Sequence, residues 1–359
     1  MIKPRILAVG VANPDLYMSQ ADVHDFYKQQ KLMPSAQKEL YSRILLDGPI
    51  RGRYFGLEDP EEIIGEGVDE QVDRYTQQAR EIATRAAQNA LRHAQLSPAD
   101  IGGIVANTCT AYLCPGLTSY IAEDLGLQSN IKAIDIMGMG CGAAIPNLEC
   151  GCGMLQSTRG KPILCIATEI CSATHLVEDD PGITVSNCIF GDGAAAVVLG
   201  AGTDSDPCLA DFETGLFPKH REALRYTRQN GHLRNQLTRR VPVIGAQCIT
   251  KVAQRLLAQH DLGVADIGWW AVHAGGTSVL DQIAQRLELS DDALAASTEI
   301  FQRHGNMSSP TVLFVLQRLM QRNELNGPGL LLAFGAGFTA FAALVNDNGK
   351  HKFDVKSSI

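Results

Sequence analysis

The chain is predicted to fold as a duplicated, layered α/β/α/β/α protein, and three features of the sequence say so. It repeats itself: Ala99-Asp100-Ile101-Gly102-Gly103-Ile104-Val105-Ala106-Asn107 returns as Ala265-Asp266-Ile267-Gly268-Trp269-Trp270-Ala271-Val272-His273. Each copy is framed by helix-period segments, 82–95 and 117–125 in the first half and 249–260 and 278–287 in the second. Phe190-Gly191-Asp192-Gly193 is echoed by Phe334-Gly335-Ala336-Gly337. Helices between strands imply right-handed crossovers and a mostly parallel sheet buried on both faces. A repeat this long is a duplicated domain and not a solenoid of short units. Gly, Thr, Asp, Ser and Pro cluster over 200–207, which divides the chain into an N-terminal half, 1–203, and a C-terminal half, 204–359.

From the N-terminus, 6–11 is an apolar strand. Segment 17–48 reads as helical, with a cap signal at Ser19 and Asp22. Segment 58–70 is acidic and Gly-broken, a surface loop. A strand-like run over 131–137 leads through Gly140-Cys141-Gly142-Ala143-Ala144 into a helix. Segment 207–242 is polar with little regular pattern, as a lid or pocket wall would be. After a helix over 310–321, segment 329–345 carries no charge over 17 residues, just short of a membrane span. Gly335-Ala336-Gly337 divides it into two short runs, which makes it a buried hairpin of a soluble protein.

Composition narrows the function. At 359 residues the chain calls for two core units. A net charge of −8 without a Lys/Arg block argues against nucleic acid as a partner. Arg43, Arg51 and Arg53 could hold a phosphate, although such spacing is more often a solvated surface. The ten cysteines follow no secretory signal and several sit in apolar runs, so reduced thiols in a cytoplasm are expected. Cys150-Gly151-Cys152 lacks a second pair at zinc-like spacing, which leaves no metal site.

The chemistry centres on Cys141. A cysteine on a Gly-flanked strand-to-helix turn has its sulfur at the positive end of a helix, which lowers the thiol pKa. Taken singly, a cysteine is more often a small hydrophobe, a histidine a pocket residue and an asparagine a helix cap. Here His273-Ala274-Gly275-Gly276 and Gly305-Asn306-Met307-Ser308-Ser309 stand at or near matching points of the second half. His273 would hold a Cys141 thiolate, which takes an acyl group from a thioester. His273 and Asn306 would donate to one oxygen and stabilise the enolate left by decarboxylation of a malonyl thioester.

Gly138-Met139-Gly140-Cys141, Phe190-Gly191-Asp192-Gly193-Ala194-Ala195-Ala196 and the His273, Asn306 and Phe334 runs span about the last two-thirds of the chain. In that order they resemble the thiolase superfamily and, within it, the chalcone-synthase-like type III polyketide synthases. The resemblance implies Cys141 as nucleophile, His273 and Asn306 as decarboxylation and oxyanion residues, and Phe190 as an aromatic gate. It places Cys109, Thr110 and Cys114 along the site from the first half, and Cys171, Thr174 and Ser308 around an elongation cavity. Arg43 falls at a position for the CoA phosphates, while Leu40 and Asp47 replace two other basic residues. Ala333, Ala336 and Arg239-Arg240 also depart from the family pattern.

The implied enzyme is an acyltransferase and a homodimer that uses CoA thioesters without cofactor or metal. Its substrates are malonyl-CoA, with or without a second acyl-CoA starter, and it engages neither nucleic acid nor membrane. Asp135-Ile136-Met137, Glu169-Ile170-Cys171-Ser172-Ala173 and Ala223-Leu224-Arg225-Tyr226 are most similar to the bacterial 3,5-dihydroxyphenylacetyl-CoA synthases, which condense malonyl units and close a ring. Related resorcinol or pyrone products stay open. The rivals are a ketoacyl synthase III, which usually carries a Gln-Ala-Asn-like run after the histidine, and an inactive partner subunit, which typically lacks the nucleophile.

Overall fold

A computed structural model describes residues 2–290 and 292–346, so the last residues of the C-terminal half lie outside the described residues. The N-terminal half contributes β1 (Arg5–Ala12), β2 (Leu16–Ser19), α1 (Gln20–Gln29), α2 (Lys38–Leu46), β3 (Gly52–Phe55) and α3 (Val68–Ala94). It continues through β4 (Gly103–Thr108), α4 (Leu117–Leu125), β5 (Lys132–Met137), α5 (Ala144–Ser157), β6 (Ile163–Glu169), α6 (Pro181–Ile189) and β7 (Gly193–Gly200). The C-terminal half begins with β8 (Cys208–Leu216), β9 (Leu224–Gln229), β10 (His232–Leu237), α7 (Val241–Gln259) and β11 (Trp269–Val272). It ends with α8 (Thr277–Leu287), α9 (Ala295–His304), α10 (Thr311–Gln321), β12 (Gly329–Gly335) and β13 (Thr339–Asn346).

Side-chain alternation along the strands builds the layers. Leu164, Ile166, Ala194, Ala196 and Val198 pack outward against α3 and α4, while Cys165, Ala167, Ala195 and Val197 face a central core. In the second half Trp270, Val272, Leu330 and Leu332 pack against α7 and α8, and Trp269, Ala271, Leu331 and Ala333 face that same central core. Helices α5 and α10 fill the centre. The order is therefore helix, sheet, helix, sheet, helix. Alanines on α3 let it lie close to the sheet: a Cβ on Gly10 of β1 would come within 2.2 Å of Ala90 N and 2.4 Å of Ala86 O.

The sheet is mixed, not mostly parallel. Its order is β11-β12-β13-β8-β1-β7-β6-β4-β5. Only β4–β5, β4–β6 and β11–β12 pair in parallel. The reason is that each half closes by laying its last strand, β7 or β13, antiparallel on its first, β1 or β8. The halves meet through the single β1–β8 pair Arg5↔Cys208. Helix α9 stands where the first half has β5, so the repeat is incomplete and Asn306 follows a helix where Cys141 follows a strand.

Segment 207–242 is also more ordered than its polarity suggests. It holds β8, which joins β13, and a β9–β10 hairpin. Asn230-Gly231, with φ of 50° and 87°, is the turn signal for that hairpin. Ser19 and Asp22 do cap α1, each side chain satisfying the other's backbone N–H. The uncharged segment is the hairpin β12–β13, and among the described residues no helix is long and apolar enough to cross a membrane.

Candidate active site

The C-terminal ends of β4, β6 and β12 meet at the crevice of Cys141: Thr108 donates to Glu169, Ser308 lies between Glu169 and Cys141, and Gly335 backs onto the Cys141 turn. Cys141 sits on a single 3-10 turn between β5 and α5, with Gly140 at a φ of +62°. The hairpin end of the other half backs directly onto it, since a Cβ on Gly335 would lie 2.0 Å from Met139 O and 2.8 Å from Gly142 N.

A continuous chain of contacts joins the three residues of the expected machinery. Ser308 Oγ donates to Cys141 Sγ at 3.3 Å, and Ser308 N donates to Asn306 Oδ1 at 2.8 Å. Asn306 Nδ2 donates to Gly275 O at 3.3 Å, and Gly275 N donates to His273 O at 3.1 Å. Cys141, Asn306 and His273 are 8%, 3% and 1% exposed. The His273 ring stands edge-on to Phe334, at 6.0 Å between centroids, and its Nδ1 has no hydrogen-bond partner among the described residues. Phe190 forms an isolated bridge with Asn306: Asn306 N donates to Ile189 O at 2.8 Å, and Gly191 N to Asn306 O at 3.0 Å.

The electrostatics reverse one expectation. Burial pushes the Cys141 thiol up to about 12, only partly opposed by the Ser308 hydroxyl, and burial lowers His273 to about 4. Both shifts favour the neutral forms, against a resting thiolate–imidazolium pair. Desolvation outweighs the helix dipole because Cys141 lies below the surface.

Of the other expected residues, Ser308 adjoins Cys141, and Cys109 Sγ lies 3.5 Å from Ser308 Oγ. Thr110 is buried and turned to support, donating to Glu169 Oε2 at 2.9 Å and accepting from Ile170 N at 3.1 Å. Cys114 is exposed on the loop after β4. Cys171, Thr174 and Phe190 line a cavity of about 40 Å³ between α1, β3 and α6. Cys109 and Ser308 are not among the residues that line it.

Arg43 is exposed on α2, and Arg51 is exposed with Nη2 3.4 Å from Gln302 Oε1. Arg53, in contrast, is fully buried and cannot serve a surface phosphate. Asp192 is no simple turn residue either: its carboxylate accepts from Gly56 N at 2.6 Å, and from Ser172 N and Oγ at 2.9 and 2.5 Å.

Two site residues escaped the sequence reading. Glu169, at the end of β6, is fully buried and accepts from Thr108 Oγ1, Cys109 N, Thr110 N, Thr110 Oγ1 and Ser309 Oγ at 2.8–3.2 Å. Burial raises its pKa against those donors. A glutamate closing an otherwise apolar strand was the available signal. Tyr226, on the β9–β10 hairpin, brings its hydroxyl to 3.5 Å from Thr174 Oγ1.

Residues 12–211 match the FAE1/type III polyketide synthase-like protein family, and 213–347 the C-terminal domain of chalcone and stilbene synthases. The 3,5-dihydroxyphenylacetyl-CoA synthase of Streptomyces toyocaensis is 30% identical, over 96% of this chain and 90% of its own. The crystal structure of 1,3,6,8-tetrahydroxynaphthalene synthase from Streptomyces coelicolor A3(2) superposes with a TM-score of 0.88 at 25% identity, over 95% of this chain and 99% of that one. PKS-I of the brown alga Ectocarpus siliculosus shares the fold, with a TM-score of 0.89 at 24% identity over 96% and 98%.

Proposed function

From the premise that this chain belongs to the type III polyketide synthases, condensing acyltransferases that use CoA thioesters, we propose that Cys141, His273 and Asn306 carry decarboxylative condensation of malonyl-CoA. The Cys141 proton passes to His273 as the sulfur attacks a CoA thioester, and it leaves with the CoA thiol. A malonyl thioester then loses carbon dioxide, and the electron pair of the broken bond moves onto the thioester oxygen. His273 and the free N–H of Asn306 donate to that oxygen. The enolate carbon attacks the acyl-Cys141 carbonyl, and the new carbon–carbon bond expels the cysteine sulfur. A His273 that rests neutral suits both tasks, since it can accept the thiol proton and donate to the enolate oxygen.

The observation that carries this reading is the run of hydrogen bonds from Cys141 through Ser308 and Asn306 to Gly275, whose N–H donates to the His273 carbonyl. Ring closure of malonyl-derived chains, to 3,5-dihydroxyphenylacetyl-CoA or a related resorcinol or pyrone, is supported by the name of the Streptomyces toyocaensis relative. Phe190, Cys109, Cys171, Thr174 and Ser308 would shape the substrate path, with Thr110 bracing it and Cys114 and Arg43 facing outward. CoA thioesters serve as substrates, in the cytoplasm, without a prosthetic group. The functional halves are taken as 1–203 and 204–359.

The exposed edge strand β5, with Ile134 and Met137 uncovered, supports a homodimer built on that edge. Sedimentation of Ile134→Lys should then give monomer, and a wild-type chain that sediments as monomer contradicts it. The test of the chemistry is incubation with malonyl-CoA alone, with products read by mass spectrometry. Aromatic or pyrone products of several malonyl units support the reading; turnover only with a carrier-protein thioester overturns it.

A further inference from the structure

Arg53 is 1% exposed, yet its hydrogen-bond partners among the described residues are all neutral, and the Asp192 carboxylate acts on it only through space. Nε donates to Gln20 Oε1 at 2.8 Å, and Nη1 donates to the carbonyls of Asn187 and Phe190 at 2.9 and 2.6 Å. The Phe55 ring lies over the guanidinium, 4.9 Å from its centroid. Nη2 is buried with no hydrogen-bond partner among the described residues. A buried cation with free donors is costly unless something accepts from it.

Arg53 lines the cavity of about 40 Å³ described above. That is room for about three waters, or for one acetate- to malonate-sized group. His175 lines the same cavity, and its Nε2 is likewise buried without a partner. Burial, with Arg74 and Arg53 nearby, lowers His175 to about 4, which favours a neutral ring, and in its Nε2–H tautomer that ring is a donor. The ring is set against Tyr27 at 5.5 Å. Val23, Phe26 and Ile63 add apolar wall. Ser172, Thr174, Ser186, Asn187 and Asn235 also line it, all uncharged, so the two unmet donors describe a receptor for a small organic acid, because a planar carboxylate matches a guanidinium edge.

We infer that this cavity is a carboxylate subsite, in which Arg53 Nη2 and His175 Nε2 hold a short carboxylic acid in the chamber that Cys171, Thr174 and Phe190 also line. The choice of malonate as probe rests on the proposed condensing chemistry. Calorimetry needs no turnover, so failure here leaves that chemistry standing.

The experiment is titration of malonate into the intact protein, into Arg53→Gln, into His175→Phe and into His273→Ala. Saturable uptake of one malonate per chain is expected, unchanged in His273→Ala and weakened at least about tenfold in the other two, as expected for loss of a hydrogen bond to a charged group. His175→Phe keeps the ring against Tyr27, so it decides the matter if Arg53→Gln fails to fold. No saturable uptake, equal uptake in His175→Phe, or loss confined to His273→Ala overturns the inference. A crystal grown in malonate that shows only water on Arg53 Nη2 overturns it as well.

Discussion

Ser308 Oγ lies 3.3 Å from Cys141 Sγ and 3.4 Å from Glu169 Oε1, so one hydroxyl proton stands between the sulfur and a buried carboxylate. A hydroxyl donates one hydrogen at a time. When it donates to sulfur it stabilises a developing thiolate; when it turns to Glu169 it does not. A φ of +59° at Ser308 keeps the residue in this position, and Asn306 Oδ1 fixes its backbone.

Ser308→Ala should therefore slow alkylation of Cys141 by iodoacetamide by about tenfold, the usual worth of a hydrogen bond to a charged group. With the thiol pushed up to about 12, the wild-type rate should keep rising with pH through pH 9. A plateau at neutral pH would restore the resting thiolate–imidazolium pair.

Asn306→Ala should cut malonyl-CoA decarboxylation by roughly 10²–10³, as loss of one oxyanion donor does. Asn306→Asp keeps the acceptor for Ser308 N but sets a negative charge beside the enolate, so it should be at least as slow. Carbon dioxide release measured in both variants checks this, and an Asp variant near wild type would remove Asn306 from the oxyanion role.

Acid should destabilise the fold before its carboxylates are fully protonated. His175, His273 and His304 are each lowered to about 4 by burial, whereas an unfolded histidine takes a proton near 6.5. Between those values the unfolded chain binds more protons, so stability is complete above about pH 6.5 and falls toward pH 4. Each full shift is worth roughly 3 kcal/mol. Glu169 and Asp192, raised by burial, act in the opposite sense. The urea midpoint should drop from pH 7.5 to pH 5, and His304→Phe should flatten the slope; a midpoint that rises toward pH 5 contradicts the burial of these rings.

Much of this architecture was legible in the sequence, because a duplicated domain repeats its own strand pattern. Ile104 to Asn107 and Trp270 to His273 could be matched by eye, and both ride strands that end at the crevice. Strand direction was not legible: nothing in the residues of β7 or β13 marks them as antiparallel to β1 and β8. The Cys141 turn was legible from its glycines, but the sign of its pKa shift was not. Helix ends show in sequence, whereas burial by Phe334, Phe341 and the second half does not. Arg53 failed for the same reason. Its neighbours in sequence, Arg43 and Arg51, are exposed, and only the packing of α1 and α6 reveals that it is interior.

The most direct test of the proposed mechanism is Cys141→Ala given malonyl-CoA, with carbon dioxide release and polyketide mass followed together. The account predicts that polyketide formation disappears while slow decarboxylation persists, because His273 and Asn306 still flank the vacated site. Polyketide formed at near the wild-type rate would contradict it.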